Sequence, residues 1–342
     1  MADTTKIQYT DYTFNPWVGC SKVHVGCKNC YAETFGKRFG VQWGPNGTRR
    51  KTSAANWRKP LAWNRKAEAA GVRGRVMFTL GDPFEDWGGP IVDAGRERLT
   101  RTQATGHKPL GPEESLPPDW EWATMDDLRH DLFDLIDRTP NLDWLLFTKR
   151  PENIQGMWPN VTLPTIATDG TSKPGTYFRP NVHLIYSASD QETLEAGLPH
   201  LLKCRDLAPV LGLSLEPLLG PISLNGFGTD VNPVTGQTAP TGAYHPWVAV
   251  GGESGRDARL CNIAWIRSVV EQCKAADVPC YVKQIGSCPY DPRGDLASGE
   301  SRQAASKGYI TRNGTARLLR DPKGGDPSEW PEDVRVRELP RD

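Results

Sequence analysis

Short apolar runs recur along the chain, and polar, glycine or proline residues follow each one. The runs are Val76–Leu80, Trp144–Thr148, Val182–Ser187, Val210–Leu215, Trp247–Gly252 and Cys280–Ile285. Each has the length of a buried strand, and its apolar character is nearly continuous instead of alternating. That pattern is typical of parallel strands that are covered on both faces. A further strand, the first in the chain, is predicted at Lys6–Tyr9.

Segments with apolar residues at helical spacing lie between these runs. They are Ala123–Thr139, Asp190–Cys204, in which Pro199 is expected to break or kink the helix, and Asn262–Val278. The repeat of strand, loop and helix indicates βα units and a parallel sheet. We therefore predict an α/β fold, a full or partial (β/α) barrel of about six to seven parallel strands. A doubly wound open sheet is the alternative.

Two long connections, residues 88–121 and 225–246, interrupt this repeat and are rich in glycine and proline. Connections of this length are typical of functional loops or of segments without fixed structure. We predict a barrel domain over residues 1–290 with these two insertions, and a polar C-terminal extension, residues 291–342, packed on it. Within the extension, Asn313-Gly314 between two apolar runs predicts a hairpin.

Composition and charge narrow the class of protein. The chain has 342 residues, 37% of them hydrophobic, and its 41 basic residues balance 41 acidic ones. A net charge of zero argues against a strongly basic nucleic-acid coat or a polybasic membrane binder. No apolar stretch approaches the roughly 20 residues that span a bilayer, and the N-terminus lacks the pattern of a secretory signal. We expect a cytoplasmic protein that does not bind membranes.

Three of the eight cysteines form a C-x6-C-x2-C cluster, namely Cys20, Cys27 and Cys30. In a chain of this size without a secretory signal, clustered cysteines indicate metal binding or catalysis more often than disulfides. Three thiolates suit an iron–sulfur cluster in which one iron keeps an open position for an exogenous ligand. Zinc is the open alternative, with His24 or a distant cysteine as fourth ligand. Of the other cysteines, Cys261 and Cys288 follow strand ends and stay candidates for a site.

Polar and ionisable side chains end nearly every predicted strand. In parallel α/β folds the carboxyl ends of the strands share one rim, where ligands bind. The GGESG segment, Gly251–Gly255, combines glycines that allow close backbone approach with a carboxylate that can bind an ammonium or hydroxyl group. The rim candidates for cofactor binding are Asp82, Ser187, Gly251, Gly252 and Glu253, and those for catalysis are Lys149, Glu216 and Lys283.

Several segments resemble an uncharacterised family of phages and bacteria that is described by its three-cysteine motif. They are YTDYTFNPWVGCSKVHVGCKNCYAE, FTKRPE, SLEPLLGPI, VAVGGESGRDAR, YVKQIG and KGGDPSEWPEDVRVRELP. The resemblance covers nearly the whole chain except the two long connections.

The chain also resembles the radical S-adenosylmethionine superfamily, whose three cysteines follow the first strand of a partial (β/α) barrel. Members typically carry C-x3-C-x2-C, whereas the first gap here is six residues. The resemblance implies that the three cysteines bind a 4Fe–4S cluster. It also implies S-adenosylmethionine as a cofactor, cleaved to a 5′-deoxyadenosyl radical that abstracts hydrogen from a substrate. An external electron donor would then be a partner.

The superfamily's Gly-Gly-Glu motif follows the second strand and holds the methionine amino group. Here Gly251-Gly252-Glu253 follows a later strand, so Asp82 or Ser187 is an alternative for that role. Tyr31, next to Cys30, would pack near the adenine.

A nucleic-acid base or nucleotide is the expected substrate, for modification or repair. Phage relatives suggest it, and basic stretches such as Lys37–Arg38, Arg49–Lys51 and Lys149–Arg150 offer contacts to phosphates. Two other classes stay open. One is a non-catalytic, zinc-binding accessory protein for nucleic acid. The other is a (β/α) hydrolase that uses Glu216 or Glu253 as a general base.

Overall fold

A computed structural model describes residues 5, 7–105, 121–159, 178–224, 227–228, 244–293, 309–311, 316–317 and 319–341. The chain divides into two compact units. Unit 1 consists of Met1–Val23, Cys30–Leu184 and Asp206–Pro209, and unit 2 consists of His24–Asn29, Ile185–Arg205 and Val210–Asp342. The boundary therefore passes twice through the cysteine cluster.

A parallel sheet is the main element of the fold. The strands are β1 (Tyr12–Thr13), β2 (Trp17–Val18), β3 (Arg49–Lys51), β4 (Gly74–Met77), β5 (Ile91–Val92), β6 (Leu142–Thr148), β7 (Val182–Ala188), β8 (Val210–Leu215), β9 (His245–Gly251), β10 (Cys261–Asn262), β11 (Cys280–Gln284), β12 (Pro289–Asp291), β13 (Tyr309–Thr311) and β14 (Ala316–Arg317). Seven of them form one parallel sheet in the order β1-β4-β6-β7-β8-β9-β11. This order follows the chain without the reversal that a doubly wound sheet requires. The predicted partial (β/α) barrel is thus confirmed.

Helices connect the strands of this sheet. They are α1 (Tyr31–Lys37), α2 (Ala54–Trp57), α3 (Lys59–Ala70), α4 (Arg101–Thr105), α5 (Met125–Asp137), α6 (Ile154–Met157), α7 (Gln191–Leu202) and α8 (Ile263–Ala275). The three predicted helices correspond to α5, α7 and α8. Thr124 and Asp190 each begin a helix with a capping box, which satisfies backbone N–H groups that lack a partner within the helix. Helix α7 continues through Pro199, so the expected break is absent.

The first strand is not where the sequence pattern put it. Instead of Lys6–Tyr9, the strand is Tyr12–Thr13, which pairs with Val76 and Met77 of β4. Tyr9 lies in a turn and is buried, so its apolar ring fills the core without belonging to a strand. The true strand has only two residues, which is too short for a periodicity to reveal.

The long connection at 88–121 is not purely a loop. It contains β5, which pairs with β3 in a small sheet of order β2-β3-β5, and α4. Its residues 106–120 lie outside the described part of the chain. Most of the second connection, residues 225–226 and 229–243, also lies outside it, and β9 begins at His245.

The C-terminal residues join unit 2. Strands β13 and β14 pair antiparallel, which confirms the predicted hairpin, although residues 312–315 at its turn lie outside the described residues. Farther on, Val282 N–H donates to the Val336 carbonyl at 2.8 Å, and Glu338 N–H donates to the Cys280 carbonyl at 2.9 Å. Trp330, which precedes these residues in the chain, is fully buried. The C-terminal residues therefore contribute to the core of unit 2.

Side chains of strands, helices and loops all contribute to the cores. In unit 1, Phe14 makes edge contacts with Trp57 and Trp144 at centroid distances of 5.5 and 5.6 Å. In unit 2, Val248 and Val250 of β9 have no exposed surface. Among the described helices, none combines the length and apolar character that crossing a membrane requires.

Candidate functional site

The three clustered cysteines are free thiols in different settings. Cys20 and Cys30 belong to unit 1 and are partly buried, whereas Cys27 belongs to unit 2 and is buried. The described residues contain no group of three or more His, Cys, Asp or Glu side chains arranged to hold a metal ion.

Arg150 contacts the Cys20 sulfur, which itself donates to the Ser21 carbonyl at 3.4 Å. Arg150 lies two positions after β6, and its Nη1 donates to Cys20 Sγ at 3.6 Å. Its Nη2 donates to the Ser21 carbonyl at 2.8 Å. One guanidinium therefore bonds both the sulfur and the backbone beside it.

Two carboxylates and a second arginine complete this network in unit 1. Arg150 pairs with Asp82 at 2.9 Å and with Glu85 at 3.2 Å, and Arg49 bonds both Glu85 oxygens at 2.7 and 2.8 Å. Glu85 also accepts a hydrogen bond from the Ser21 N–H at 2.7 Å. Two buried cations thus match two buried anions, as charges that are removed from water require.

Asp82, a candidate for cofactor binding, is fully engaged within unit 1. Besides Arg150, it accepts hydrogen bonds from Thr148 Oγ1 at 2.7 Å and from the N–H groups of Lys149 and Phe84, both at 3.0 Å. Lys149, a candidate for catalysis, contributes its backbone to this contact. In this conformation the Asp82 carboxylate holds the β4 and β6 ends together.

The surroundings of Cys20 favour its protonated form. Burial raises the pKa of the thiol well above its usual range, and the charges of Glu85 and Asp82 raise it further. The Arg150 guanidinium acts in the opposite direction. A metal that binds this sulfur must therefore displace a proton.

Cys30 and Tyr31 lie at the start of α1. Cys30 packs against an apolar cluster that includes Val18 and Leu80. The Tyr31 hydroxyl donates to the Thr79 carbonyl at 3.2 Å, and the residue is 57% exposed. The Tyr31 ring, next to Cys30, is thus held through its hydroxyl group and is open to solvent.

The segment between Cys20 and Cys30 is fixed within unit 2 by His24. Its Nδ1 accepts from the Gly26 N–H at 3.0 Å, and its Nε2 donates to the carbonyl of Ser187 at 3.1 Å. Both ring nitrogens are in use, so this conformation does not offer His24 as a fourth zinc ligand. Ser187, a candidate by its side chain, contributes its carbonyl here.

Gly26 allows this segment to approach the end of β7. A Cβ atom at this position would lie 2.1 Å from Ser189 Oγ and 2.8 Å from the His24 ring. Real Cβ atoms do not come so close to other atoms, so only glycine fits without displacement.

Glu253 of the GGESG segment also binds this part of the chain. Its Oε2 accepts from Asn29 Nδ2 at 3.1 Å, and Arg259 donates to its two oxygens at 2.7 and 2.9 Å. Arg259 Nη1 in turn donates to the Val25 carbonyl at 2.9 Å. Burial opposes ionisation of Glu253, but the hydrogen bonds from Arg259 and Asn29 lower its pKa below the usual range. The anionic carboxylate therefore anchors residues 25–29. Gly252, the residue before Glu253, packs so closely against Cys261 that a Cβ atom would not fit there.

Glu216 and Lys283, two of the catalytic candidates, meet in unit 2. Lys283 Nζ lies 3.2 Å from Glu216 Oε1, and Ser214 Oγ donates to Glu216 Oε2 at 3.3 Å. A Cβ at Gly251 would lie 3.1 Å from the same Glu216 oxygen. The carboxyl ends of β8, β9 and β11 therefore meet at one ion pair.

Sequence reasoning gives no cofactor-binding or catalytic role to several residues that shape these contacts. Arg150, Glu85 and Arg259 follow strand ends and so belong to the predicted rim, where Arg150 is expected only as a phosphate contact. Asn29, inside the C-x2-C gap, gave no signal, because its contact depends on the path of the loop.

Comparison with known families gives one match. A family model covers residues 4–82 and 120–315, which is most of the chain. The chain belongs to DUF5131, a family of proteins of unknown function. Membership in an uncharacterised family is thus confirmed, while the DUF5131 description states no phage origin, cysteine motif or chemistry. No curated protein and no solved structure matches the chain. The unmatched residues 83–119 nearly coincide with the first long connection, as expected for an insertion.

Proposed function

We propose that this DUF5131 protein is a radical S-adenosylmethionine enzyme whose Cys20, Cys27 and Cys30 hold a 4Fe–4S cluster. The observation that carries the proposal is the position of three free thiols on the segment that follows the first strand of a sequentially ordered, partial (β/α) barrel.

The donor set suits such a cluster. Thiolates are the ligands that iron–sulfur clusters use, and none of the three cysteines is in a disulfide. Hydrogen bonds to cluster sulfurs tune the potential, and Arg150 already donates to Cys20. When bound, the cluster supplies the electron that cleaves S-adenosylmethionine to a 5′-deoxyadenosyl radical.

The chain's own residues position the ligands. Arg150 and Glu85 fix the Ser21 backbone, and hence Cys20, in unit 1. Glu253 and Arg259 fix residues 25–29, and hence Cys27, in unit 2. Arg150, Glu85 and Glu253 are buried, so solvent competes only weakly with their bonds, whereas Arg259 is partly exposed.

A nucleotide or nucleic-acid base is the substrate class we propose. Arg49 and Arg150 are buried in ion pairs, so these two cations do not serve as phosphate contacts. Lys283 is the better group, because its side chain is 25% exposed at the strand-end rim and an ammonium can contact a phosphate.

Anaerobic reconstitution of the full chain with iron and sulfide tests this function. We expect a brown protein with about four irons and four sulfides per chain, and formation of 5′-deoxyadenosine when S-adenosylmethionine and dithionite are added. Cys20→Ala, Cys27→Ala and Cys30→Ala should each lose the cluster. Cys204→Ala is the matched control, because Cys204 is a buried free thiol outside the cluster, just after α7, where its Sγ donates to the His200 carbonyl at 3.4 Å.

Two outcomes would contradict the proposal. A colourless protein with one zinc per chain would favour the accessory protein. Full iron content in any variant of the three cysteines would show that its sulfur is not a ligand.

A further inference from the structure

Residues 31–51 of unit 1 are basic and aromatic, although the chain as a whole carries no net charge. This stretch comprises α1, β3 and the loop between them, and it contains five basic residues and one acidic residue. Its aromatic residues are Tyr31, Phe35, Phe39 and Trp43. Such an asymmetry in a neutral chain indicates a surface for an anionic ligand.

The exposed cations of this stretch lie at the end of α1. Lys37 and Arg38 are both exposed, and the Lys37 side chain keeps 69% of its surface. The Arg38 guanidinium lies 5.5 Å from the centre of the Phe35 ring, which is 37% exposed. The other three cations of the stretch are partly or fully buried. Positive charge therefore reaches solvent beside an aromatic ring, the combination that binds the phosphates and bases of a single strand.

An open cavity of about 490 Å³ shares Lys37 with this surface. Its other lining side chains include Glu33, Gln42, Trp43 and Asn46. The volume lies within the roughly 300–1,000 Å³ that is usual for small-ligand sites. An indole is a surface on which a base stacks, and amide and carboxylate groups hydrogen-bond the edge of a base. The lining therefore suits a nucleobase.

The loop that carries Trp43 is held in place before any ligand arrives. The Thr48 N–H donates to the Gln42 carbonyl at 3.1 Å and closes the loop. The indole packs against the same apolar cluster as Cys30, and a Cβ at Gly36 would lie 3.0 Å from its edge. A fixed ring loses little conformational freedom on binding, which favours affinity.

Glu33 is the acidic residue of the lining, and two lysines offset its charge. Lys22 Nζ lies 2.8 Å and Lys37 Nζ 3.6 Å from its carboxylate oxygens. The hydrogen bond from Lys22 is the main cause that lowers the pKa of Glu33 below its usual value. The carboxylate is therefore ionised at neutral pH, and the two lysines keep this part of the surface from repelling an anion.

We propose that this cavity and the neighbouring Lys37 and Arg38 bind single-stranded nucleic acid. A base stacks on Trp43, the amides of Gln42 and Asn46 hydrogen-bond its edge, and the two cations contact backbone phosphates. Bases in a duplex are already stacked and paired, so the site selects single strands. Binding here requires neither a cluster nor S-adenosylmethionine, so the site goes beyond the proposed reaction and is tested separately from it.

Fluorescence anisotropy on the full chain as purified, without added iron or sulfide, tests the proposal. The probes are a fluorescein-labelled single-stranded DNA of mixed sequence and about 12 nucleotides, the RNA of the same sequence, and the corresponding DNA duplex. We expect at least one single strand to bind, and the duplex to bind roughly tenfold more weakly or worse, because a base must first leave the stack. The two single strands distinguish DNA from RNA as the ligand.

The phosphate contacts are tested by the salt dependence of binding. Lys37→Ala combined with Arg38→Ala should reduce the slope of log K against log salt concentration by about 1.4, since each phosphate contact to a single strand contributes about 0.7. Arg65→Ala combined with Lys66→Ala is the matched control, because it removes two exposed cations from α3. The control should leave the slope unchanged.

The stacking contact is tested by Trp43→Leu. This variant should bind roughly tenfold more weakly with an unchanged salt slope, because it removes an aromatic ring and no charge. Trp43→Phe, which keeps an aromatic ring, should recover most of the affinity. Circular dichroism checks that both variants are folded.

Four results would overturn the proposal. The folded wild type could bind neither single strand, or could bind the duplex equally well. Poly-glutamate could compete as well as an unlabelled oligonucleotide, which would show a surface for polyanions in general. The two double alanine variants could change the salt slope equally. The first three are measured on the wild type, and the fourth concerns only exposed side chains, so none depends on whether Trp43→Leu folds.

Discussion

Arg150 in unit 1 and Arg267 in unit 2 are both buried arginines in ion-pair networks, but the groups that they bond differ in kind. Arg267, on α8, bonds both oxygens of Asp291 at 2.8 Å and Asp333 at 2.6 Å. Both partners come from the C-terminal part of the chain, and Asp333 is partly exposed. The network of Arg150 ends instead on a backbone carbonyl and on the Cys20 sulfur.

The Arg267 network stabilises the fold, whereas the Arg150 network also contacts a cysteine of the candidate site. Arg267 faces two carboxylates and holds the tail of the chain on a helix, so its value lies in folding stability. Arg150 shares its carboxylates with Arg49, and its remaining donors reach a candidate metal ligand. Burial of charge alone therefore does not mark a functional site. The Cys20 sulfur at the end of the Arg150 network is what makes that network part of the candidate site.

The largest effect is expected for Arg267→Met. It leaves the buried Asp291 carboxylate without its cation, which typically costs about 3–5 kcal/mol of unfolding free energy. Urea denaturation measures the loss. The double variant Arg267→Met with Asp291→Leu should recover much of it, because apolar replacement of a buried pair is often neutral. A single variant as stable as the wild type would contradict this stabilising role.

Arg150→Met should destabilise the fold less, by about 1–3 kcal/mol. Thr148 Oγ1 and two N–H groups still donate to Asp82, and Arg49 still neutralises Glu85. Urea denaturation and metal content after reconstitution are the measurements. Arg150→Lys is the matched control that keeps the charge. A loss larger than that of Arg267→Met would reverse the proposed distinction between the networks.

Acid should weaken the Arg267 network through Asp291. Burial opposes the ionised form, but hydrogen bonds from Arg267 and the Arg293 N–H lower the pKa of Asp291 below its usual value. Because the folded pKa is the lower one, the stabilisation is present above the unfolded value of about 3.9 and is lost as pH falls through the folded pKa. Unfolding free energy measured between neutral and acid pH should therefore fall less steeply in Asp291→Asn. Equal slopes for the variant and the wild type would refute this.

The smallest effect is expected at the surface. Arg341 bonds both oxygens of Asp277 at 2.7 Å, yet both residues are exposed. Exposed pairs are screened by solvent and contribute little. Arg341→Ala should leave the melting temperature unchanged within error, and a clear drop would show that burial is not what gives Arg267 its strength.

The fold was largely predictable because six of its seven main strands are buried on both faces and read as continuous apolar runs. The first strand was not, since Tyr12–Thr13 is too short for a pattern and Tyr9 before it fills the core from a turn. In the site, spacing identified the three cysteines, and the rim argument named Glu216 and Lys283, which do meet. Asn29 and the engagement of Glu253 by Arg259 could not be foreseen, because both depend on the course of loops without periodicity.

The last residues of the chain have a protective effect on the sheet. Main-chain bonds from Val336 and Glu338 cover the outer side of β11, which is the final strand in the sheet order. An uncovered strand edge is a template for pairing with another molecule. A chain shortened before Val336 would expose the backbone donors and acceptors of β11 along this edge. Two copies of the protein could then pair through their exposed β11 strands, so such a truncation would favour self-association.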